Sequence, residues 1–376
     1  MNIFGYTPSL EFVIIFGVFV IALIIQIVYY SIFLKVAFHK NAQYIVEKFP
    51  VSIIICAKNE AINLQKNLPL ILEQDYSDYE VIVVNDCSED DSDMIIAELR
   101  QKYPHLRSTT INKDKKFTHG KKLALTVGIK AAQHEWLLLT DADCKPNGKN
   151  WLYNMQHNFD NNTSVVLGYG GYRRRKGLLD KFIRFDTLFI AMQYLGMAKI
   201  GKPYMGVGRN LAYRKSLFFK SKSFSTHTQL MSGDDDLFIN EVANKQNTRI
   251  EIEKDSLVIS EPVGSLRDWF FQKKRHLSTF QYYKRGSKLI LGTELMSRLI
   301  FYSAFIALLI LNQEFYFVIS VFVLRMFFQL YVIKSIMIRL KEKYLLLFSL
   351  FMDILIPIIN FIVIISNNLG ARNNKW

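Results

Sequence analysis

Two aspartates, Asp141 and Asp143, flank a single alanine directly after the apolar run Trp136-Leu-Leu-Leu-Thr140. A solvated turn would accept such a pair, but carboxylates closing a buried run fit a ligand or metal better. Hard oxygen donors favour Mg2+ or Mn2+, held by one or two carboxylates with positions left for substrate phosphates. Glu80-Val-Ile-Val-Val84 leads into Asn85-Asp86, where Asp86 either caps the following helix or contacts a base or ribose. Ala57-Lys58-Asn59-Glu60 follows a third run, Val51–Cys56. Lys121, after His119-Gly120, opens a helical pattern; it marks a phosphate site or an ordinary solvated helix start. Asp234 and Asp235 stand with Asp236 before Leu237. Acidic residues there satisfy a helix dipole, but three adjacent carboxylates also push one another toward use as a base. Gln272, Arg275 and His276 share one helix face by their spacing of three and four, beside Trp269.

These residues need a scaffold that gathers strand ends. Val51–Cys56, Glu80–Val84, Trp136–Thr140 and Ser164–Leu167 read as strands buried on both faces. Helical periodicity separates them over Glu60–Gln74, Ser92–Tyr103 and Lys121–Ala132. Such alternation predicts an α/β doubly wound, mostly parallel sheet, whose ligands bind at the carboxyl ends of the strands. Cys56, Cys87 and Cys144 are the only cysteines and show no zinc spacing, so they read as reduced, packed thiols.

The chain has 376 residues, half of them apolar, and a formal charge of +14. That apolar content excludes a disordered chain. Phe12–Leu34 is free of charge and, at about 1.5 Å per residue, long enough to cross an apolar core about 30 Å thick. Without basic residues before it or a small-residue cleavage site after it, the run reads as a retained anchor. Lys35, Lys40 and Lys48 follow it and place the next segment in the cytoplasm. Three further spans are expected at Leu289–Leu311, Phe315–Ile333 and Tyr344–Ile365. Arg298 must then snorkel, or its helix must start in the interface. The loop with Lys334, Arg339, Lys341 and Lys343 falls inside; Arg372 and Lys375 fall outside, against the rule. Arg325 and Asp353 lie mid-span, where charges pair or line a polar path. The expected division is 10–34 anchor, 50–265 α/β domain, 266–288 interfacial amphipathic helix and 289–366 spans. The basic clusters answer to membrane lipids, and no nucleic acid is expected as a partner.

In order, these segments resemble a membrane-bound family 2 glycosyltransferase of GT-A fold. VSIIICAKNE (51–60) is similar to that family's nucleotide-binding opening, and Val83-Val-Asn-Asp86-Cys-Ser to its V-V-D-D-G-S segment. Gly120-Lys121-Lys-Leu-Ala-Leu125 resembles G-K-x-x-A-L, and Asp141-Ala-Asp143 the D-x-D. Tyr204–Arg214 is similar to the acceptor-side loop. Asp234 matches the catalytic aspartate of E-D-x-D-L, with Gly233 in place of Glu and Asp235 as the alternative base. Gln272–His276 resembles Q-x-x-R-W, with His276 in place of Trp.

The resemblance implies a donor site built on Ala57, Asn59, Glu60, Asp86, Lys121, Asp141, Gln272 and Arg275, and a metal on Asp143 and Asp141. It implies inverting transfer from a nucleotide sugar, UDP-linked by analogy, to a lipid or lipid-linked glycan acceptor at the cytoplasmic membrane face. A processive polysaccharide synthase and an inactive membrane sugar-nucleotide-binding protein are the alternatives.

Overall fold

The β-branched run of β1 (Val51–Ala57) has no polar face, so it takes the centre of a sheet. A computed structural model describes residues 8–40, 48–112, 120–221 and 233–369. In it, β1 pairs in parallel with β2 (Tyr79–Asp86) and β4 (Trp136–Asp141). Helices α2 (Ala61–Leu72), α3 (Ser92–Lys102) and α4 (Lys121–Ala131) make the crossovers. The sequence pattern passes over β3 (Leu106–Ile111), the edge strand beside β2, because its Arg-Ser-Thr-Thr centre lacks an apolar run. After the short β5 (Lys145–Pro146) and α5 (Trp151–Gln156), the sheet continues through β6 (Val165–Leu167), while β7 (Gly170–Tyr172) joins a second sheet. Helix α6 (Leu178–Lys199) leads to β8 (Leu211–Arg214), α7 (Lys215–Lys220), α8 (Asp236–Val242), β9 (Thr248–Ile250) and β10 (Val258–Ser260). The strand order is β3-β2-β1-β4-β8-β6-β9, with β8 antiparallel to both its neighbours; β5-β10-β7 forms the small sheet.

Four helices have the length and apolarity of membrane spans: α1 (Leu10–Ala37), α10 (Arg285–Leu311), α11 (Phe315–Arg339) and α12 (Phe348–Leu369). The amphipathic α9 (Leu266–Leu277) ends well short of residue 288, at a 3-10 turn (Ser278–Tyr282) that redirects the chain into α10. Away from the α/β domain, α1, α10 and α11 pack around Phe19, Phe301, Leu308 and Val318, a cluster in which α12 takes no part. Both ends of α12 instead meet the domain. Arg174 stacks over Tyr344 at 4.0 Å just before the helix, and Asn367 near its end donates to the Lys274 carbonyl of α9.

Charge inside this helical layer is matched in place. Arg298 does not snorkel; it is buried against Glu294 (2.9 Å) and stacks on Phe189. Arg325 meets Asp353 at 2.7 Å, and Tyr30 donates to the same carboxylate. Gln26 of α1 accepts from Arg325 at 2.9 Å, so one network ties α1, α10, α11 and α12. At the domain boundary Arg184 of α6 bridges Asp180 and Glu342, and Tyr169 donates to Glu342 at 3.0 Å. These contacts tie the helices to one another and to α6 of the domain.

Candidate active site

The register of β1 against β4 sets Cys56 beside Asp141, and β1 against β2 sets Ala57 beside Asn85. The carboxyl ends of all three strands therefore share one rim. Lys121 at the start of α4 closes it, with its ammonium 2.7 Å from Asp141 and 3.5 Å from Asp234. The Cys56 thiol reports the same gathering. Burial, opposed by Lys121 and aided by Asp141, Asp234 and Asp86, pushes it up to about 12. Asp141 and Asp234 thus face each other across Lys121, and Asp86 ends β2 on the same rim.

The acidic triplet divides by geometry. Asp235 accepts from the Gly208 N–H at 2.7 Å and from the Asp236 N–H at 2.8 Å. Both its oxygens thus hold backbone, and it anchors the 204–210 loop. Asp236 accepts from Tyr283 at 2.8 Å and from Thr279, tying α8 to the turn before α10; burial and Asp235 raise it to about 7. Asp234 is buried with its carboxylate toward Lys121. Burial raises its pKa and Asp235 adds to the rise, while Lys121 works against both. Burial also opposes the Lys121 ammonium, but Asp141, Asp234 and Asp235 hold it charged, well above its usual range. Gly233, where the family pattern has Glu, sits at φ 100, and a Cβ there would lie 2.5 Å from Leu237. The backbone itself excludes a larger residue. The Gly208 Cβ position lies in ordinary contact distance of Asp235 (3.4 Å) and Lys121 (3.5 Å), so this loop runs directly beside both side chains.

Asp141, Asp143 and Cys144 bring ligand atoms within 4.8 Å of one another. Burial pushes the Cys144 thiol up, as do both aspartates, so it stays protonated and the carboxylates remain the ligands. Burial opposes ionisation of Asp141, but Lys121 holds its pKa below the usual carboxylate range. Asp143 is raised by burial and by Asp141, and accepts from Ser260 at 2.5 Å. Two oxygen ligands steadied in this way fit a hard divalent cation.

The remaining predicted residues divide between contact and support. Asn59 takes a left-handed φ of 56 and clamps the two rim loops: its N–H donates to Ser88 and its Oδ1 accepts from Glu89. Glu60 holds Asn63 at 2.6 Å; burial raises its carboxyl, with Asp143 and Asp141 adding to the rise. Gln272 donates to the Tyr172 hydroxyl at 3.3 Å. Arg275 is exposed, and its charge favours ionised Asp141. His276 is exposed at the cavity lining, where desolvation among the surrounding groups, with Arg275 and Arg209, pushes its pKa down to about 4. His119 lies outside the described residues.

Two functional residues escaped the sequence reading. Arg209 stacks on Tyr172 at 4.4 Å, and its charge reaches Asp143 and Asp141. Asn210 is fully buried, accepts from Trp151 and donates to the carbonyls of Tyr169 and Ser256, which fixes the loop that carries Arg209. Both lie inside the Tyr204–Arg214 motif, but no spacing rule separates them from their neighbours.

A cavity of about 210 Å³ opens from this site toward the helices. Arg209, Asp235, Gln272 and His276 line one end; Gly292, Leu295 and Ile364 line the other.

The sequence model of Glycosyl transferase family 2 matches residues 52–220, which carry the sheet, Lys121 and both D-x-D carboxylates. The α/β domain belongs to glycosyl transferase family 2. Within it, 178 residues are 28% identical to the poly-beta-1,6-N-acetyl-D-glucosamine synthase of Staphylococcus epidermidis, over 46% of this chain and 40% of that protein. A stretch of 104 residues is 34% identical to glycosyltransferase AglE of Haloferax volcanii, over 27% of this chain and 33% of the relative. The matches thus span two-fifths or less of these curated relatives' length. The mannosyltransferase PcManGT from Pyrobaculum calidifontis, solved with GDP-Man and Mn2+, shares the fold at a TM-score of 0.58 and 18% identity, over 88% of this chain and 99% of that one. The family 2 domain is therefore a GT-A fold carried on apolar helices.

Proposed function

We propose that this protein is an inverting glycosyltransferase that moves a sugar from a nucleoside diphosphate sugar to an acceptor arriving from the membrane. The observation that carries the reading is Lys121 set between Asp141 and Asp234, a fixed cation between a metal-type carboxylate and a buried one. Asp86, with Ala57, Asn59 and Glu60 framing the rim, takes the nucleoside. Asp143 and Asp141 would hold Mg2+ or Mn2+, which when bound neutralises charge on the diphosphate. Lys121 and Arg275 lie against the same phosphates, and Gln272 positions Tyr172 beside Arg209.

Asp234 accepts the proton of the acceptor hydroxyl as that oxygen bonds to the anomeric carbon and the bond to the diphosphate breaks. Its raised pKa suits a base that must hold this proton. Asp235 is committed to two backbone N–H groups and orders the loop instead. The basic residues of the 334–343 loop and of Lys35, Lys40 and Lys48 favour a cytoplasmic catalytic face.

The test is Asp234→Asn in the purified full chain, with sugar transfer and nucleotide binding measured side by side. Transfer falls by about 100-fold or more, while donor Kd stays within a few-fold. Equal loss of both makes Asp234 a donor-site residue and refutes its role as base.

A further inference from the structure

The cavity joins the catalytic rim to the membrane helices, and its walls specify what fits between them. Its aromatic lining includes Trp269, Phe280 and the hydroxyl-bearing Tyr194, Tyr204 and Tyr283. At the bilayer end the wall is Leu291, Gly292, Leu295 and Ile364. A Cβ at Gly292 would meet nothing within 4 Å, so space stands open beside α10. Helix α12 forms the facing wall, held at both ends to the domain by Tyr344 and Asn367. Within that wall the Asn360 side-chain oxygen is buried without a hydrogen-bond partner. A buried acceptor left unpaired is unfavourable, so the position suits a hydrogen-bond donor brought by a ligand.

The charges in the lumen narrow the ligand further. Lys273 is already satisfied by Asp186 at 2.6 Å, and Glu294 is matched by Arg298 at 2.9 Å. Asp235 and Asp236 add negative charge at the catalytic end. Among the described lining residues Arg209 is the cation left without a carboxylate in contact, and it stands over Tyr172 beside the donor carboxylates. A lipid phosphate lodged near Glu294 and Asp236 would meet no free counter-charge and would lose its hydration. A hydroxyl both donates and accepts, and loses far less on burial once it is paired.

We propose that this cavity binds a membrane lipid with an uncharged, hydroxyl-bearing head, of the diacylglycerol type, as the acceptor. The head lies between Asn360 and the end lined by Asp235, the neighbour of Asp234, and the acyl chains leave between α10 and α12. This rests on the transfer reading above, which it narrows to one acceptor class.

Trp269 lines the cavity and serves as the probe, while Trp136 and Trp151 lie in the sheet core. The full chain is placed in nanodiscs, and its fluorescence is titrated with brominated dioleoylglycerol against a background of brominated phosphatidylcholine. Saturable quenching is expected, absent in Trp269→Phe, reversed by unlabelled dioleoylglycerol and weakened at least tenfold in Gly292→Phe. UDP binding, measured separately, reports whether the donor site is formed in each variant. In turnover with labelled UDP-sugars, the label is expected in a neutral lipid product. Quenching no greater than the phosphatidylcholine background overturns the proposal. Stronger competition by polyprenyl phosphate than by dioleoylglycerol overturns it too, as does label found only in a soluble glycan. Those outcomes leave the transfer reading standing wherever donor turnover persists; loss of nucleotide binding in the wild-type chain refutes that reading instead.

Discussion

Replacing Lys121 with Met tests whether one ammonium sets the ionisation of the base. At the observed 3.5 Å, the Lys121–Asp234 attraction is about 1 kcal/mol in bulk water and about 5 kcal/mol at an effective dielectric constant of about 20. Asp234 is 10% exposed, but Lys121 is 40% exposed, and solvent screening pulls the value toward the lower end. An effect of about 1–3 kcal/mol corresponds to about 5- to 150-fold in the ionised fraction on the acid side. The sign follows from the charge. Lys121 favours the carboxylate, so its removal raises a pKa already lifted by burial, and the base is lost at higher pH than in the wild type. Asp141, freed of its partner, pushes in the same direction. The assay is kcat/KM for transfer against pH, which reports the free enzyme. Lys121→Met should lose rate at all pH through its lost phosphate contact, and about 5- to 150-fold more on the acid limb. Lys121→Arg should keep the limb in place. If the Met and wild-type profiles superimpose after vertical scaling, Lys121 does not govern Asp234, and the central observation loses its meaning.

Asp143→Ala should weaken Mn2+ binding by at least about tenfold in calorimetry with UDP present, whereas Cys144→Ser should not, because the buried thiol is not a ligand. Asp353→Asn leaves Arg325 and Arg298 facing one carboxylate fewer and should cost about 3–5 kcal/mol in detergent unfolding; adding Arg325→Met should recover much of it. Additive losses in that double variant would show that the two residues are not coupled. A reporter fused after residue 367 should read the same side as the catalytic domain, since Asn367 contacts α9; a reading from the opposite side would make α12 a full crossing.

The rim was legible because it rests on strands without a polar face. Val51–Cys56, Glu80–Val84 and Trp136–Thr140 can only be central, and their first polar residues fall where parallel strands end. The edge strand β3 carries Arg107, Ser108 and Thr109 because one flank meets solvent, so periodicity could not find it. The antiparallel β8 was hidden at the end of a motif read as a single acceptor-side loop. Asp234 was ranked before Asp235 by resemblance alone; a physical distinction needs the Gly208 N–H, which donates to Asp235 from a distant loop. Arg298 misled by its charge, whereas pairing of Arg325 with Asp353 was one of the two readings their mid-span positions allowed. Snorkelling assumes that no partner is near, and Glu294 and Asp353 come from one turn along the helix and from a different helix.

Apolarity likewise says that α12 prefers lipid, but not how deep it goes. Its contacts argue for a shallow path. Tyr344 before it and Asn367 near its end both touch the α/β domain, and the far cluster around Phe19 and Phe301 is complete without it. Asp353, near its start, reaches inward to Arg325 and Arg298, and Pro357 lies just beyond, where a helix loses a backbone hydrogen bond and can bend. The second half of α12, with Asn360 and Ile364, lines the cavity. The wall on that side of the cavity is thus a helix tied near both ends, through Tyr344 to Arg174 and through Asn367 to α9. The same geometry explains why Arg184, Glu342 and Tyr169 are buried together at the turn before α12: loosening that cluster would move the wall, and with it the distance from acceptor to Asp234.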